Sequence, residues 1–430
     1  MKAAVKRRAW LLGVALILGC SLPAGAREAD QTARTVVGHM PLDHATQFSV
    51  DYYDDGSALL TIAGTDRYYI LPREDAGEEA AALPQGTAGE ETAALPQGTA
   101  GEETAALPQG TAGEEAAAVP QGDEGETEAL ASIQDLPEGA IWLRQGAKAI
   151  YLASSSGADF FLQLGALDHI ALSSTNGQSW RLPEMRAALE NGDIRYAGKY
   201  SAPDYELVLR TGTDLVIENT MIFHSPATKE KLEKLGLPVL VEYSSYENDP
   251  LGRLEWIKMY GLLLGKQEEA EQFFASQVQK IEALKAVPAK EQTVAFFHVN
   301  SQGAFVVRSS SDYVARMIEM AGGRYVPQLK ETEGKTVSTL NMQREAFYTA
   351  AVNADVLIYN CTIDQELFTI EQLLEKDPLL RDFKAVREGR VFCNEPSMFQ
   401  QTSGTAGMIA DLNAILNGEE EALSYFHSLK

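Results

Sequence analysis

From Phe48 to Pro72 apolar and polar residues alternate in FSVDYYDDGSALLTIAGTDRYYILP, and the alternation breaks at Asp54, Asp55, Gly56 and again at Gly64, Thr65, Asp66. Period-two patterning with turn residues at those points predicts a β-meander of about three strands. A sheet that small is not stable alone, so it is expected to pack on the domain that follows. From position 137 the pattern changes. The short runs KAIYLA, HIALS, DLVIE and PVLVE alternate with helical periods over 158–165, 183–190, 203–210 and 227–235. That alternation predicts βαβ units and a parallel sheet. In KQEEAEQFFASQVQKIEALKAV, Ala270, Phe273, Phe274, Val278, Ile281 and Leu284 fall at helical spacing before Pro288. A helix over 266–286 follows, roughly 32 Å long at 1.5 Å per residue. Alternation resumes in QTVAFFHV, GAFVVR, ADVLIY and GRVFC. The expected architecture is two Rossmann-like α/β lobes joined by one long helix, with an N-terminal β-meander appendage.

Between appendage and lobes lies an internal repeat of twelve residues, AGEEAAALPQGT and three near copies, from Ala76 to Asp123. Each unit offers one Leu or Val to a core and carries a Pro, two Gly and two Glu, too little apolar surface to offset chain entropy. It is read as an acidic linker and not as a solenoid. The expected order is a signal peptide at 1–19, the appendage at 20–72, the linker at 73–136, a first lobe at 137–252, a connecting helical segment at 253–290 and a second lobe at 291–430.

Lys2, Lys6, Arg7 and Arg8 precede an apolar run from Trp10 to Leu18. That run is shorter than the roughly 20 residues a spanning helix needs and reads as an export signal. ILGC predicts lipidation at Cys20, hence a membrane-anchored extracytoplasmic protein held by lipid alone; AGA at Ala24–Ala26 is the alternative, with a soluble periplasmic or secreted product. The net charge of −25 removes the electrostatic attraction that nucleic-acid binders depend on. Twelve acidic and no basic residues fall within 76–128, so the lobes are only mildly acidic. Cys361 and Cys393 alone follow Cys20, too few for a disulfide scaffold or a four-thiolate zinc site. They end ADVLIYN and GRVF, and a disulfide or two separate thiols are both open. HExxH, P-loop, GxSxG and GxGxxG motifs are absent, and the histidines do not fall at zinc-ligand spacing. Neither catalytic nor metal-ligating residues are expected.

The runs AIYLASSSGADFFLQLGALD, YAGKYSAPDYELVLRTGTDLVIEN and LGLPVLVEYSSYENDPLGRLEWIKMYGLLLGKQEEAEQF, followed by AFVVRSSSDYVARMIEMAGG, NMQREAFYTAAVNADVLIY and AVREGRVF, stand in one order along residues 137–430. In that order they resemble the substrate-binding proteins of bacterial ABC importers, in the class whose lobes are tied by a rigid helix and which carries ferric siderophores, haem or cobalamin. The resemblance implies a non-enzymatic monomer serving an ABC permease and its ATPase. No resident cofactor is implied; the bound group would be a ferric chelate, with haem or a corrinoid as alternatives. A surface sensing or adhesion protein reusing the fold is the reading from a different class.

Ligands of open α/β sheets meet the loops at the strands' carboxyl ends. There the sequence places Lys199, Tyr200, His224, Tyr243, Arg308 and Tyr359, cations and rings that suit a large anionic metal complex. The plain alternatives are wet-loop tyrosines at Tyr200 and Tyr243, an ion pair at Arg308, and a surface or capping histidine at His224. The resemblance further implies docking of the permease through Glu206, in SAPDYELVL, and Glu345, in NMQREAFYTA, each in a first helical turn where the helix dipole favours a carboxylate.

Overall fold

The computed structural model describes residues 35–62, 67–71, 140–143, 145–285, 292–328 and 338–430. The expected signal segment with Cys20 and the acidic repeats lie outside the described residues. At the N-terminal side, β1 (Val36–His39), β2 (Phe48–Tyr53), β3 (Ala58–Ile62), β4 (Arg67–Leu71) and β5 (Ile141–Trp142) form one sheet in that order. The meander expected at about three strands is therefore four, and β5 joins it in parallel from beyond the repeats. Its β2–β3 turn is held by Asp55, whose carboxylate accepts from the Ser57 amide and hydroxyl.

The first lobe contains β6 (Ile150–Leu152), α1 (Ala158–Gln163), β7 (Ile170–Ser173), α2 (Pro183–Asn191) and β8 (Arg195–Tyr196). The hairpin β9 (Gly198–Lys199) and β10 (Ala202–Pro203) follows, then α3 (Tyr205–Arg210), β11 (Leu215–Asn219), α4 (Pro226–Lys234) and β12 (Val239–Glu242). Its sheet has the order β12-β11-β6-β7-β8 and is parallel throughout, as the alternation predicts. Gly198 is required in the hairpin: its φ is 82°, and a Cβ there would meet the Ala202 carbonyl oxygen at 2.6 Å.

The connection is two packed helices, α5 (Pro250–Leu264) and α6 (Gln267–Lys285), broken at Gly265 with φ 69°. The expected single helix matches α6 closely, but α5 is the central one. Every α5 residue except Arg253 is buried, Glu255 and Lys258 included, and the helix is apolar on most of its surface.

The second lobe contains β13 (Thr293–Val299), β14 (Phe305–Arg308), α7 (Tyr313–Met320), β15 (Arg324–Val326), β16 (Thr339–Met342), α8 (Arg344–Ala351) and β17 (Val356–Tyr359). It ends with α9 (Ile370–Lys376), α10 (Lys384–Arg387), β18 (Val391–Asn394), α11 (Thr405–Asn417) and β19 (Phe426–Ser428). The sheet runs β16-β14-β13-β17-β18-β19, with β15 also on β13. It is mixed: β14 and β19 run antiparallel to their neighbours. GAFVVR follows QTVAFFHV after a tight turn at 300–304, far too short for a parallel crossover, so a hairpin is forced.

One apolar core joins the inner faces of both lobes, α5, α6 and the N-terminal sheet. The N-terminal segment is fastened through buried charge. Glu255 of α5, fully buried, accepts from the backbone amides of Asp43, His44 and Ala45 at 2.8–3.1 Å and pairs with Lys258 at 3.0 Å. Lys258 Nζ also donates to the Pro41 carbonyl, and Glu247 accepts from the amides of Thr46 and Gln47. Truncating Glu255 to Ala leaves three amides without their acceptor, and the Lys258 charge with only the Pro41 carbonyl, in a dry interior. The expected loss is about 3–5 kcal/mol of unfolding free energy. Urea denaturation measures it, and a loss below about 1 kcal/mol would show that the segment is not anchored by this carboxylate.

Candidate ligand-binding site

Loops at the carboxyl ends of both sheets meet beside α5. The β6–α1 loop is set by Glu242, whose buried carboxylate accepts from Ser154 Oγ at 2.7 Å, Ser156 Oγ at 3.2 Å and the Ser244 amide at 3.1 Å. Those hydroxyls serve the scaffold. Gly157 in the same loop has no room for a side chain, since a Cβ would sit 2.2 Å from the Tyr260 hydroxyl. After β11, Asn219 caps the 3-10 turn Thr220–His224 by accepting from the Met221 amide, and its Nδ2 donates to the Ala153 carbonyl. This turn presents Met221, Phe223 and His224 to solvent. Phe223 packs on Tyr243 with centroids 5.8 Å apart, and Tyr243 on Tyr246 at 5.6 Å. Tyr243 is the buried middle rung of this ladder, and burial followed by the neighbouring Tyr246 raises its hydroxyl pKa.

On the second lobe a cavity of about 190 Å³ is lined by Phe296, His298, Val306, Arg308, Thr339, Asn360 and Ile363. Arg308 is mostly buried and pairs in bidentate fashion with Asp312, Nε and Nη2 each donating over 2.8 Å. Burial opposes its charge, but Asp312 outweighs burial and holds the guanidinium ionised. Its backbone is clamped by the Tyr325 hydroxyl, which donates to the Arg308 carbonyl and accepts from its amide. Burial pushes the His298 imidazole down, against Asp364, with a smaller push in the same direction from Arg308. The ladder and the cavity are connected. Arg253 donates to the Ser245 carbonyl and lies 3.9 Å over the Tyr313 ring, while Arg308 lies 5.7 Å over Tyr313 and 5.3 Å over Phe399. Further ties cross between the lobes: Gln400 accepts from the Arg181 amide and donates to the Ser179 carbonyl, and the Ser403 amide donates to Asp159.

The sequence-predicted residues divide. Tyr243 and Arg308 lie in this arrangement, and His224 stands exposed on the turn beside it. The ion-pair alternative for Arg308 is realised through Asp312. Tyr359 is a correction: it is fully buried and packs on Phe297 in the outer core of the second lobe, its hydroxyl donating to Asp364. Strand alternation puts Leu357 and Tyr359 on the face away from the cavity, and Asn360, one residue on, lines it. Lys199 is exposed on the β9–β10 hairpin and Tyr200 packs half-buried into the first-lobe cores, so neither lines the cavity. Glu206 and Glu345 are exposed in first helical turns; Glu206 pairs with Arg210, while Arg344 pairs with Asp377 and is drawn away from Glu345. Arg253, Tyr313 and His298 were missed. Arg253 shares α5 with two further charges, Glu255 and Lys258, so its charge alone gave no signal that singled it out. Cys361 and Cys393 are on neighbouring parallel strand ends as expected, buried, and present as free thiols.

Residues 150–396 match the periplasmic binding protein family. The chain belongs to that family. Two uncharacterized lipoproteins of Methanocaldococcus jannaschii are similar: one is 29% identical over 253 residues, covering 56% of this chain and 56% of its own, and the other is 26% identical over 282 residues, covering 62% and 70%. The chain thus spans about half the length of the first of these relatives. Among solved structures, a periplasmic haem-binding protein from Pseudomonas aeruginosa aligns with TM-score 0.51 and 20% identity over 66% of this chain and 98% of its own. A petrobactin-binding protein from Bacillus subtilis aligns with TM-score 0.50 and 16% identity over 65% and 94%. The likenesses to solved structures bear out the two-lobed α/β fold, and the family match makes it the fold of a substrate-binding protein.

Behind the site, this periplasmic binding protein buries Glu218 of β11 completely, near Tyr151, with no hydrogen-bond partner for either oxygen among the described residues. Burial pushes its carboxyl up to about 8 from the ordinary 4.5. Between those values the folded chain keeps a proton the unfolded chain has lost, so stability declines as pH rises from 4.5 to about 8. Glu218→Gln is expected to remove that slope and to stabilise the fold at pH 7 by an amount on the order of 3 kcal/mol. Urea midpoints at acid and neutral pH decide it; parallel profiles for the two proteins would show that Glu218 holds no such proton.

Proposed function

We propose that the chain is the extracytoplasmic solute-binding lipoprotein of an ABC importer, capturing an iron chelate such as a ferric siderophore and delivering it to a membrane permease. The observation that carries the reading is the Arg308–Tyr313–Arg253 arrangement, two guanidiniums on one ring between an apolar ladder and a cavity. Arg308 keeps Nη1 outside its pair with Asp312, and Arg253 adds a second cation. Cations mounted on rings suit an anionic, flat-faced chelate. A cavity of about 190 Å³ takes one arm of such a molecule, leaving the rest over Phe223, Tyr243 and Tyr246. The names of the petrobactin-binding and haem-binding neighbours agree with this class of cargo. Haem or a corrinoid is the second reading, favoured by Met221 and His224 exposed on one turn, where either side chain can reach a metal. The lipoprotein relatives support lipidation at Cys20 over cleavage after Ala26, and among the described residues no helix is long and apolar enough to cross a membrane.

The absorption spectrum of protein purified with its cargo separates the ligands: a broad charge-transfer band for a ferric chelate, a Soret band for haem, corrin bands for cobalamin. With a ferric chelate bound, Arg308→Ala is expected to cost about 1.5–3 kcal/mol, roughly tenfold to a hundredfold in affinity. Unchanged affinity removes Arg308 from the site.

Docking on the permease is assigned to Glu206 and Glu345, one on each lobe, because two separated charges fix orientation where one does not. Replacing both with Ala is expected to abolish transport and permease-stimulated ATPase activity while cargo affinity is unchanged. Normal transport by the double variant would exclude them.

A further inference from the structure

Three basic atoms from distant segments converge at the far edge of the second sheet. Glu366 lies in the loop after β17, Glu395 follows β18 directly, and His427 is on β19. One ligand atom from each lies within 4.8 Å of the others, His427 Nδ1 being 3.6 Å from a Glu395 oxygen and 4.0 Å from a Glu366 oxygen. All three side chains are half-buried. The antiparallel register of β18 and β19 sets His427 opposite Cys393, which carries the imidazole to the end where Glu395 begins.

The tautomer follows from the surroundings. His427 Nε2 is 2.8 Å from the Leu367 carbonyl oxygen, which can only accept, so Nε2 carries a proton. The ring plane is held by stacking on Phe368, centroids 5.2 Å apart and planes 18° from parallel. With Nε2 so engaged, Nδ1 is the ring atom that faces the two carboxylates, over 3.6 and 4.0 Å. A cation placed among the three would be within reach of one ligand atom from each.

We propose that Glu366, Glu395 and His427 form a binding site for a divalent transition-metal ion, distinct from the cavity beside Arg308. One imidazole nitrogen and two carboxylate oxygens suit a borderline ion such as Zn²⁺, with a remaining position open to water. The Leu367 carbonyl supplies the outer hydrogen bond that orients a ligating histidine. None of the three residues lines the Arg308 cavity, so the site does not depend on the identity of the cargo. An ion here fastens the last strand to the loops after β17 and β18.

The test uses the full metal-free, cargo-free chain, with Zn²⁺ followed by equilibrium dialysis and Co²⁺ by visible absorption. One Zn²⁺ per chain is expected, with affinity lowered roughly tenfold or more by Glu366→Gln, Glu395→Gln or His427→Gln and unchanged by Cys361→Ser or Cys393→Ser. Because His427 also packs on Phe368, Glu395→Gln is the variant that leaves the packing in place, and near-ultraviolet circular dichroism checks that each variant is folded. The cobalt form is expected to show ligand-field bands that disappear in Glu395→Gln. Absence of zinc binding, zinc retained equally by all three variants, or zinc lost only in the cysteine variants overturns the proposal.

Discussion

The structure depends on a helix buried on every side. Because α5 has almost no solvent face, both lobes, α6 and the N-terminal sheet must close around it, and two buried carboxylates, one on it and one just before it, dictate how they do so. Glu255 and the preceding Glu247 are carboxylates in a dry interior, tolerable only when hydrogen-bonded. Their acceptor sites are filled by backbone amides of residues 43–47, by Lys258 and by the Trp256 indole. The N-terminal sheet is thus built into the pillar even though it lies outside the stretch that matches the family.

A rigid pillar makes the loops at its side a fixed arrangement. Glu242 consumes Ser154 and Ser156, Asn219 holds the Thr220–His224 turn, and Tyr325 clamps the backbone of Arg308. The groups left facing outward are rings and guanidiniums. Arg253, the one α5 residue that is not buried, reaches from the pillar to Tyr313 and so links the aromatic ladder of one lobe to the cavity of the other. Recognition chemistry and the device that holds the lobes together therefore share a helix.

The strands at Ile150, Leu215, Val239, Thr293 and Val356 were legible because a strand buried on both faces must be a continuous β-branched run, whichever neighbours it finds. The helix at Gln267–Lys285 was legible because one face is apolar at helical spacing. The buried α5 carries no such contrast between faces and left no periodic signal. Hairpin pairing of β14 was implicit in the short turn before it, yet its strand reads like the parallel ones around it.

What the sequence by itself determined was local: which segments are strands and helices, that two α/β lobes alternate around a helical connection, and that loops at strand ends would carry rings and cations. Those follow from propensity and burial pattern, which act over a few residues. Tertiary structure alone decided which of those residues meet. It turned Tyr359 into the outer core and Asn360 to the cavity, set Asp312 against Arg308, brought Arg253 from the pillar onto Tyr313, and gathered Glu366, Glu395 and His427 from three segments. Pairing register and helix packing fix such meetings across long stretches of chain, and no spacing in the sequence encodes them.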